Sequence, residues 1–193
     1  MISLRRSIAA VTFGLAVILG SASIAAAKVN PAILAVDKMA GHKVVLGHEI
    51  RFVTTKGTFV VVMFPKEAPK TVANFEKLVK KGFYNGLKFH RVIPGFVAQG
   101  GDPLGTGEGG PGYTIPDEYN HLKHIRGSVA MAKTMEPNSA GSQFYIAYRR
   151  LPSLDGHYTI FGQVISGMKV VDRLQSTEVP GTPDRMLKVT LVK

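Results

Sequence analysis

Phe89-His90-Arg91-Val92-Ile93-Pro94-Gly95-Phe96-Val97-Ala98-Gln99-Gly100-Gly101-Asp102 sets one arginine among aromatic and aliphatic side chains. In an extended strand, residues two apart point the same way, so Val97 and Gln99 share a face. Alone, Arg91 reads as a surface or ion-paired arginine, and Phe96 as a core residue. Their meaning depends on what surrounds them.

On the N-terminal side, Ile50-Arg51-Phe52-Val53-Thr54 alternates apolar and polar residues and is rich in β-formers. Thr55-Lys56-Gly57 is a turn signal. Thr58-Phe59-Val60-Val61-Val62-Met63-Phe64 follows as the second arm of a hairpin. That run is apolar throughout, as for a strand covered on both faces. Val72, Phe75, Leu78 and Val79 fall on one face of a helix predicted over Thr71–Lys81, with Pro69 suited to its first turn. Lys77, Lys80 and Lys81 favour its C-terminal end, and Gly82 stops it. On the C-terminal side, residues 83–163 are turn-rich, with apolar runs at 89–96, 128–132, 143–147 and 159–164. Met168–Leu174 predicts a second, short helix, and Arg185–Val192 alternates as a closing strand. The whole reads as one β-rich domain with two helices.

Composition bounds the chemistry. The chain has 193 residues and no cysteine. Disulfide scaffolds, thiolate zinc sites, cysteine nucleophiles and lipoprotein anchors are excluded. Gly 21 and Pro 11 disfavour a helical bundle. Met1-Ile-Ser-Leu-Arg5-Arg6, an apolar stretch from Ile8 to about Gly20, and Ala25-Ala26-Ala27 describe a secretory signal peptide over residues 1–27. The expected organisation is 1–27 signal peptide, 28–48 extension or linker, and 49–193 the functional domain. Cleavage after Ala27 changes the formal net charge from +11 to +9, with 22 basic against 13 acidic residues. That charge is spread along the chain without a nucleic-acid motif, so nucleic acid is not an expected partner. His121 and His124 are three apart, but solvated loop histidines are the better reading than metal ligands. The Gly-rich stretch 105–112 lacks the Gly-Lys-Ser/Thr ending of a phosphate loop and reads as structural. Asp102, Asp117 and Glu118 form no convincing hydrolytic pair.

The stretch from Phe89 to Asp102 closely resembles the signature of cyclophilin-type peptidyl-prolyl isomerases. The resemblance continues through Asn138-Ser139-Ala140-Gly141-Ser142-Gln143-Phe144-Tyr145-Ile146 and Leu154-Asp155-Gly156-His157-Tyr158-Thr159-Ile160-Phe161-Gly162-Gln163-Val164. It covers roughly Glu49 to Val192. The Gly105–Tyr113 stretch is similar to bacterial members. The resemblance implies a closed eight-stranded antiparallel β-barrel capped by two α-helices, with its site in a groove on the outer wall. It implies Arg91 as the catalytic cation and Gln99 as the residue that orients it. Phe96, Val97, Phe144 and Leu154 are implied as the proline pocket, with Tyr158 at its rim. Ala132, Lys133 and Gln143 are implied as groove lining, and His90 as a support. No cofactor or metal is implied.

Three departures stand out. Val97 and Tyr158 replace the Met and His common at those positions. Ser153 stands where eukaryotic members usually carry Trp, which implies weakened cyclosporin binding. An extra residue lies near Lys133–Pro137, with no Asn-Ala pair. The expected protein is a monomeric isomerase acting on proline-containing, unfolded or flexible polypeptides outside the cytoplasm, periplasmic or secreted. It touches a membrane only if residues 1–27 are retained. A cyclophilin-like binding module with little turnover is the rival reading.

Overall fold

The computed structural model describes residues 29–192, so the expected signal peptide lies outside the described residues. In chain order the elements are α1 (Pro31–Ala40), β1 (Glu49–Thr54), β2 (Gly57–Met63), α2 (Pro69–Lys80), β3 (Arg91–Ile93), β4 (Val97–Gly100), β5 (Ser128–Met131), β6 (Phe144–Ala147), a 3₁₀ turn (Pro152–Leu154), β7 (Ile160–Ser166), α3 (Met168–Val171) and β8 (Met186–Val192). The expected β1–β2 hairpin forms, turning at Gly57 with φ +125°, a conformation that L side chains rarely adopt.

The eight strands make one antiparallel sheet in the order β3-β4-β6-β5-β7-β2-β1-β8. It curls around an aromatic core. Phe52 stacks on Phe59 with centroids 4.6 Å apart, and Phe75 meets Phe144 edge-on at 5.4 Å. The helix α2 turns Val72, Phe75, Leu78 and Val79 into this core from one side, and Val171 and Leu174 enter it near α3. Ala68 provides no side-chain cap for α2. Glu118 substitutes, accepting the backbone N–H groups of Lys70 and Thr71 at 3.0 and 2.7 Å.

Two expectations need correction. The sheet is an open, curled barrel and not a closed one. Among the described residues no strand ladder joins β8 to β3. The seam is crossed by a single bridge, Lys88 to Arg185, with flanking bonds such as Met186 N–H to Leu87 O at 2.9 Å. The reason is local: β3 is only three residues long and ends at the Pro94-Gly95 turn. The second correction concerns helices. Among the described residues there are three α-helices, and the expected second one shrinks to the four residues of α3.

The additional helix is α1, within the segment expected as an extension or linker. Asn30 caps it by accepting the Ala32 N–H at 2.9 Å, and Gly41 ends it at φ +76°. Its buried residues Ile33 and Val36 join Val62 and Phe64 in a second apolar layer outside the barrel. Asn30 also donates through Nδ2 to Ile165 O at 2.8 Å. The all-apolar run of β2 is thereby explained: Phe59, Val61 and Met63 face the core, and Val62 faces this outer layer.

Candidate functional site

Strands β3 and β4 form a tight hairpin in which Arg91 pairs with Gln99 and Ile93 with Val97. Arg91 is exposed, with its guanidinium carbon 5.5 Å from the Phe96 ring centroid. Its Nη1 donates to Gln99 Oε1 at 3.4 Å, a long bond. Gln99 Nε2 donates to Gln143 Oε1 at 2.9 Å. Gln143 Nε2 in turn donates to the carbonyls of Gly107 and Gly109 at 2.7 and 2.9 Å. A polar relay therefore runs from the cation to the glycine-rich loop.

Asp102 organises that loop. Its carboxylate accepts the N–H groups of Leu104, Thr106 and Gly107 at 2.7, 2.9 and 2.6 Å. Burial alone would raise its pKa, but the backbone donors together hold it below the usual carboxylate value. A Cβ at Gly109 would collide with the same carboxylate. The loop is structural, as expected, and not a phosphate cradle.

Beside Arg91 lies a depression of about 210 Å³. Eight of the expected site residues meet there: Arg91, Phe96, Val97, Gln99, Ala132, Lys133, Leu154 and Tyr158. A second hollow of about 570 Å³ adjoins it between the 107–114 loop and residues 132–143, and the two share Gln99, Ala132 and Lys133. Gln143 lines this second hollow. The Lys133 ammonium is turned onto its own loop, 3.3 Å from Thr134 O and 3.2 Å from Glu136 O, with Asp117 Oδ2 at 3.7 Å.

Phe144 does not line the pocket. It is wholly buried inside the barrel against Phe52, Phe75 and Tyr84. Its neighbour Tyr145 lines the pocket instead. Successive strand side chains point to opposite faces, so one step along β6 exchanges core for groove. The same alternation that joins Val97 to Gln99 also joins Gln143 to Tyr145, and it was the available signal. His90 does not line this depression. It faces a different hollow, beside residues 175–183, and burial lowers its pKa.

His124 is not solvated either. Its ring is completely buried, with Nε2 2.9 Å from the Tyr145 hydroxyl and Nδ1 3.1 Å from Asp155 Oδ1. Burial holds its pKa below the ordinary histidine value, outweighing the pull of Asp155. His121 is exposed, as expected. Among the described residues, no group of three or more His, Cys, Asp or Glu is placed to hold a metal ion.

Comparison with known proteins identifies the family. The family model described as cyclophilin type peptidyl-prolyl cis-trans isomerase matches residues 49–193. A peptidyl-prolyl cis-trans isomerase of Synechococcus elongatus is 50% identical over 141 residues, covering 72% of this chain and 92% of its own. One from Helicobacter pylori is 49% identical over 130 residues, covering 65% and 79%. A crystal structure of a cyclophilin type isomerase from Cryptosporidium parvum superposes with TM-score 0.72 at 34% identity, over 77% of this chain and 99% of that one. A second structure of that protein, in the presence of the dipeptide Ala-Pro, gives TM-score 0.71 at 35% identity over 75% and 99%. With the family model matching residues 49–193 and relatives about half identical over most of their own length, the chain belongs to the cyclophilin-type peptidyl-prolyl cis-trans isomerases, enzymes that rotate X–Pro peptide bonds.

Proposed function

We propose that this isomerase assists the folding of exported proteins, using Arg91 as its catalytic cation and the adjoining depression as its proline pocket. The observation that carries the site assignment is the position of Arg91. It stands exposed at a pocket walled in part by Phe96, Val97 and Leu154, and its side-chain partner is a neutral amide, Gln99.

An X–Pro amide is held planar by a rotation barrier of about 18–20 kcal/mol. As the bond twists, the nitrogen regains its lone pair and the carbonyl oxygen swings out of plane. The apolar walls made by Phe96, Val97, Leu154 and Tyr158 hold the prolyl ring while the preceding residue turns. Arg91 offers fixed positive charge and donors where the twisted amide gains electron density. Gln99 keeps the guanidinium aimed, and Gln143 keeps Gln99 aimed. Residues before proline pass over Gln99 and Ala132 into the second hollow. No covalent step, cofactor or metal enters this mechanism.

Export rests on residues 1–27, whose positive start, apolar centre and small-residue end have the pattern of a cleaved signal peptide. The working compartment is then the periplasm or the medium, and the enzyme acts as a monomer on flexible proline-containing chains. The decisive experiment measures isomerisation of a short X–Pro peptide by the chain from Lys28 onward, beside Arg91→Ala. Equal rates refute the role of Arg91, and inactivity in both favours a peptide-binding module. N-terminal sequencing of the exported protein tests cleavage, and a terminus at Met1 refutes it.

A further inference from the structure

We infer that His124, which touches no substrate, is a positioning residue that locks Tyr145 as a fixed wall of the proline pocket. The inference rests on the isomerase reading of that pocket and deepens it.

Four side chains form a continuous line from the surface to the pocket. Arg150 pairs with Asp155, its Nη1 lying 3.1 Å from Oδ1 and its Nη2 bonding Oδ2. Asp155 Oδ1 accepts the His124 backbone N–H at 2.8 Å and faces His124 Nδ1 at 3.1 Å. His124 Nε2 faces the Tyr145 hydroxyl at 2.9 Å. Tyr145 is only 5% exposed, and what remains open lies in the pocket.

The protonation pattern follows from this geometry. An ionised carboxylate only accepts, so Nδ1 must carry the hydrogen. A fully buried imidazole stays neutral, so Nε2 keeps its lone pair. Tyr145 O–H therefore donates to Nε2, and the hydroxyl has one fixed direction. The two rings lie 5.9 Å apart and nearly parallel, at 14°. Tyr145 in turn meets Tyr158 edge-on at 5.7 Å. Asp155 directly follows the 3₁₀ turn that carries Leu154, so one carboxylate anchors two pocket walls. A phenylalanine ring at this position would have packing alone and no anchor at its far end. The tyrosine is held by packing and by a directed bond at its far end.

The test is a double-mutant cycle in the full-length chain, reading kcat and KM for an X–Pro peptide. Tyr145→Phe and His124→Leu each raise KM by about three- to tenfold with little change in kcat, the size expected for one hydrogen bond. The double variant is no worse than the poorer single one. His124→Gln, whose amide oxygen restores an acceptor near the position of Nε2, recovers most of the loss. Multiplicative losses, or a Tyr145→Phe variant with unchanged KM, overturn the inference. Tyr145→Phe keeps the ring and its volume, so it decides the question even if His124→Leu fails to fold. A wild-type chain without isomerase activity overturns the isomerase reading and this inference with it. An active wild type with an additive cycle overturns this inference alone.

Discussion

Arg91 and Gln99 are register partners across the β3–β4 hairpin, and their side chains meet at 3.4 Å. The pairing makes the aim of the cation a property of the strand register. Arg91→Ala is expected to lower kcat/KM about 100-fold or more, the loss typical of removing one preorganised charged donor. Arg91→Lys is not expected to keep the rate, because an ammonium lacks the planar set of donors of which Nη1 reaches Gln99. Gln99→Leu costs less, about tenfold. A protease-free assay of X–Pro isomerisation ranks all three, and an Arg91→Lys enzyme at wild-type speed contradicts the account.

Phe144 and Tyr145 are adjacent in sequence and opposite in role. Phe144→Ala empties a site among Phe52, Phe75 and Tyr84 and is expected to cost about 3–5 kcal/mol of stability. The folded fraction keeps its KM. Tyr145→Ala raises KM at a smaller cost in stability. Urea denaturation beside steady-state kinetics separates the two, and the reverse pattern would place Phe144 in the groove after all.

Stability is expected to fall in two stages as pH drops. Burial holds His124 and His90 below their ordinary value of 6.5, so between that pH and the folded value the unfolded chain binds more protons. Their contribution is complete above about pH 6.5 and declines below it. Asp102 and Asp155 have lowered folded values, through backbone donors in one case and chiefly Arg150 in the other, which outweigh burial. Their contribution is present above about pH 4 and lost beneath it. His42, raised by Glu67, acts in the opposite sense but is exposed and screened. Urea midpoints at about pH 7.5, 5.5 and 3.5 are expected to fall at each step, and a level midpoint across the first interval counts against a neutral His124.

The helix α1 contributes to the outer apolar layer through Ile33 and Val36. Ile33→Ala is expected to cost about 2 kcal/mol, the low end for a buried isoleucine because the site lies near the surface. Thermal melting checks this, and an unchanged Tm would mean that α1 rests on the barrel without stabilising it.

Ser153 is exposed beside Leu154, at the position where the family resemblance implies an indole that would help hold cyclosporin. Inhibition is expected only at micromolar concentrations or above. A nanomolar inhibition constant refutes this.

Much of the fold was legible in the sequence because its signals are local. The alternation at Ile50–Thr54 and the apolar stripe Val72-Phe75-Leu78-Val79 each fix an element without reference to anything distant. The pocket residues were legible through resemblance alone, since Arg91 and Phe96 have no pattern of their own. What was missed depends on contacts far apart in the chain. His124 becomes a core residue only because Asp155 and Tyr145 close over it. Glu118 becomes a helix cap only once β-structure brings it to Lys70 and Thr71. The segment 31–40 carries a weak apolar stripe whose partners, Val62 and Phe64, lie on β2 and at its end.

The seam between β3 and β8 has a consequence for heat. Arg91 opens a three-residue strand with a ladder on one side only. On the other side, Val92 is held by Thr177, whose hydroxyl takes the Val92 N–H at 3.0 Å and whose own N–H bonds Val92 O at 3.0 Å. Segments held by few bonds open locally at lower cost than the global fold. Arg91, the proposed catalytic cation, thus stands on a short strand at the edge of the wall. On warming, activity toward an X–Pro peptide is expected to fall some degrees before the sheet melts, and an assay run beside a thermal melt checks this.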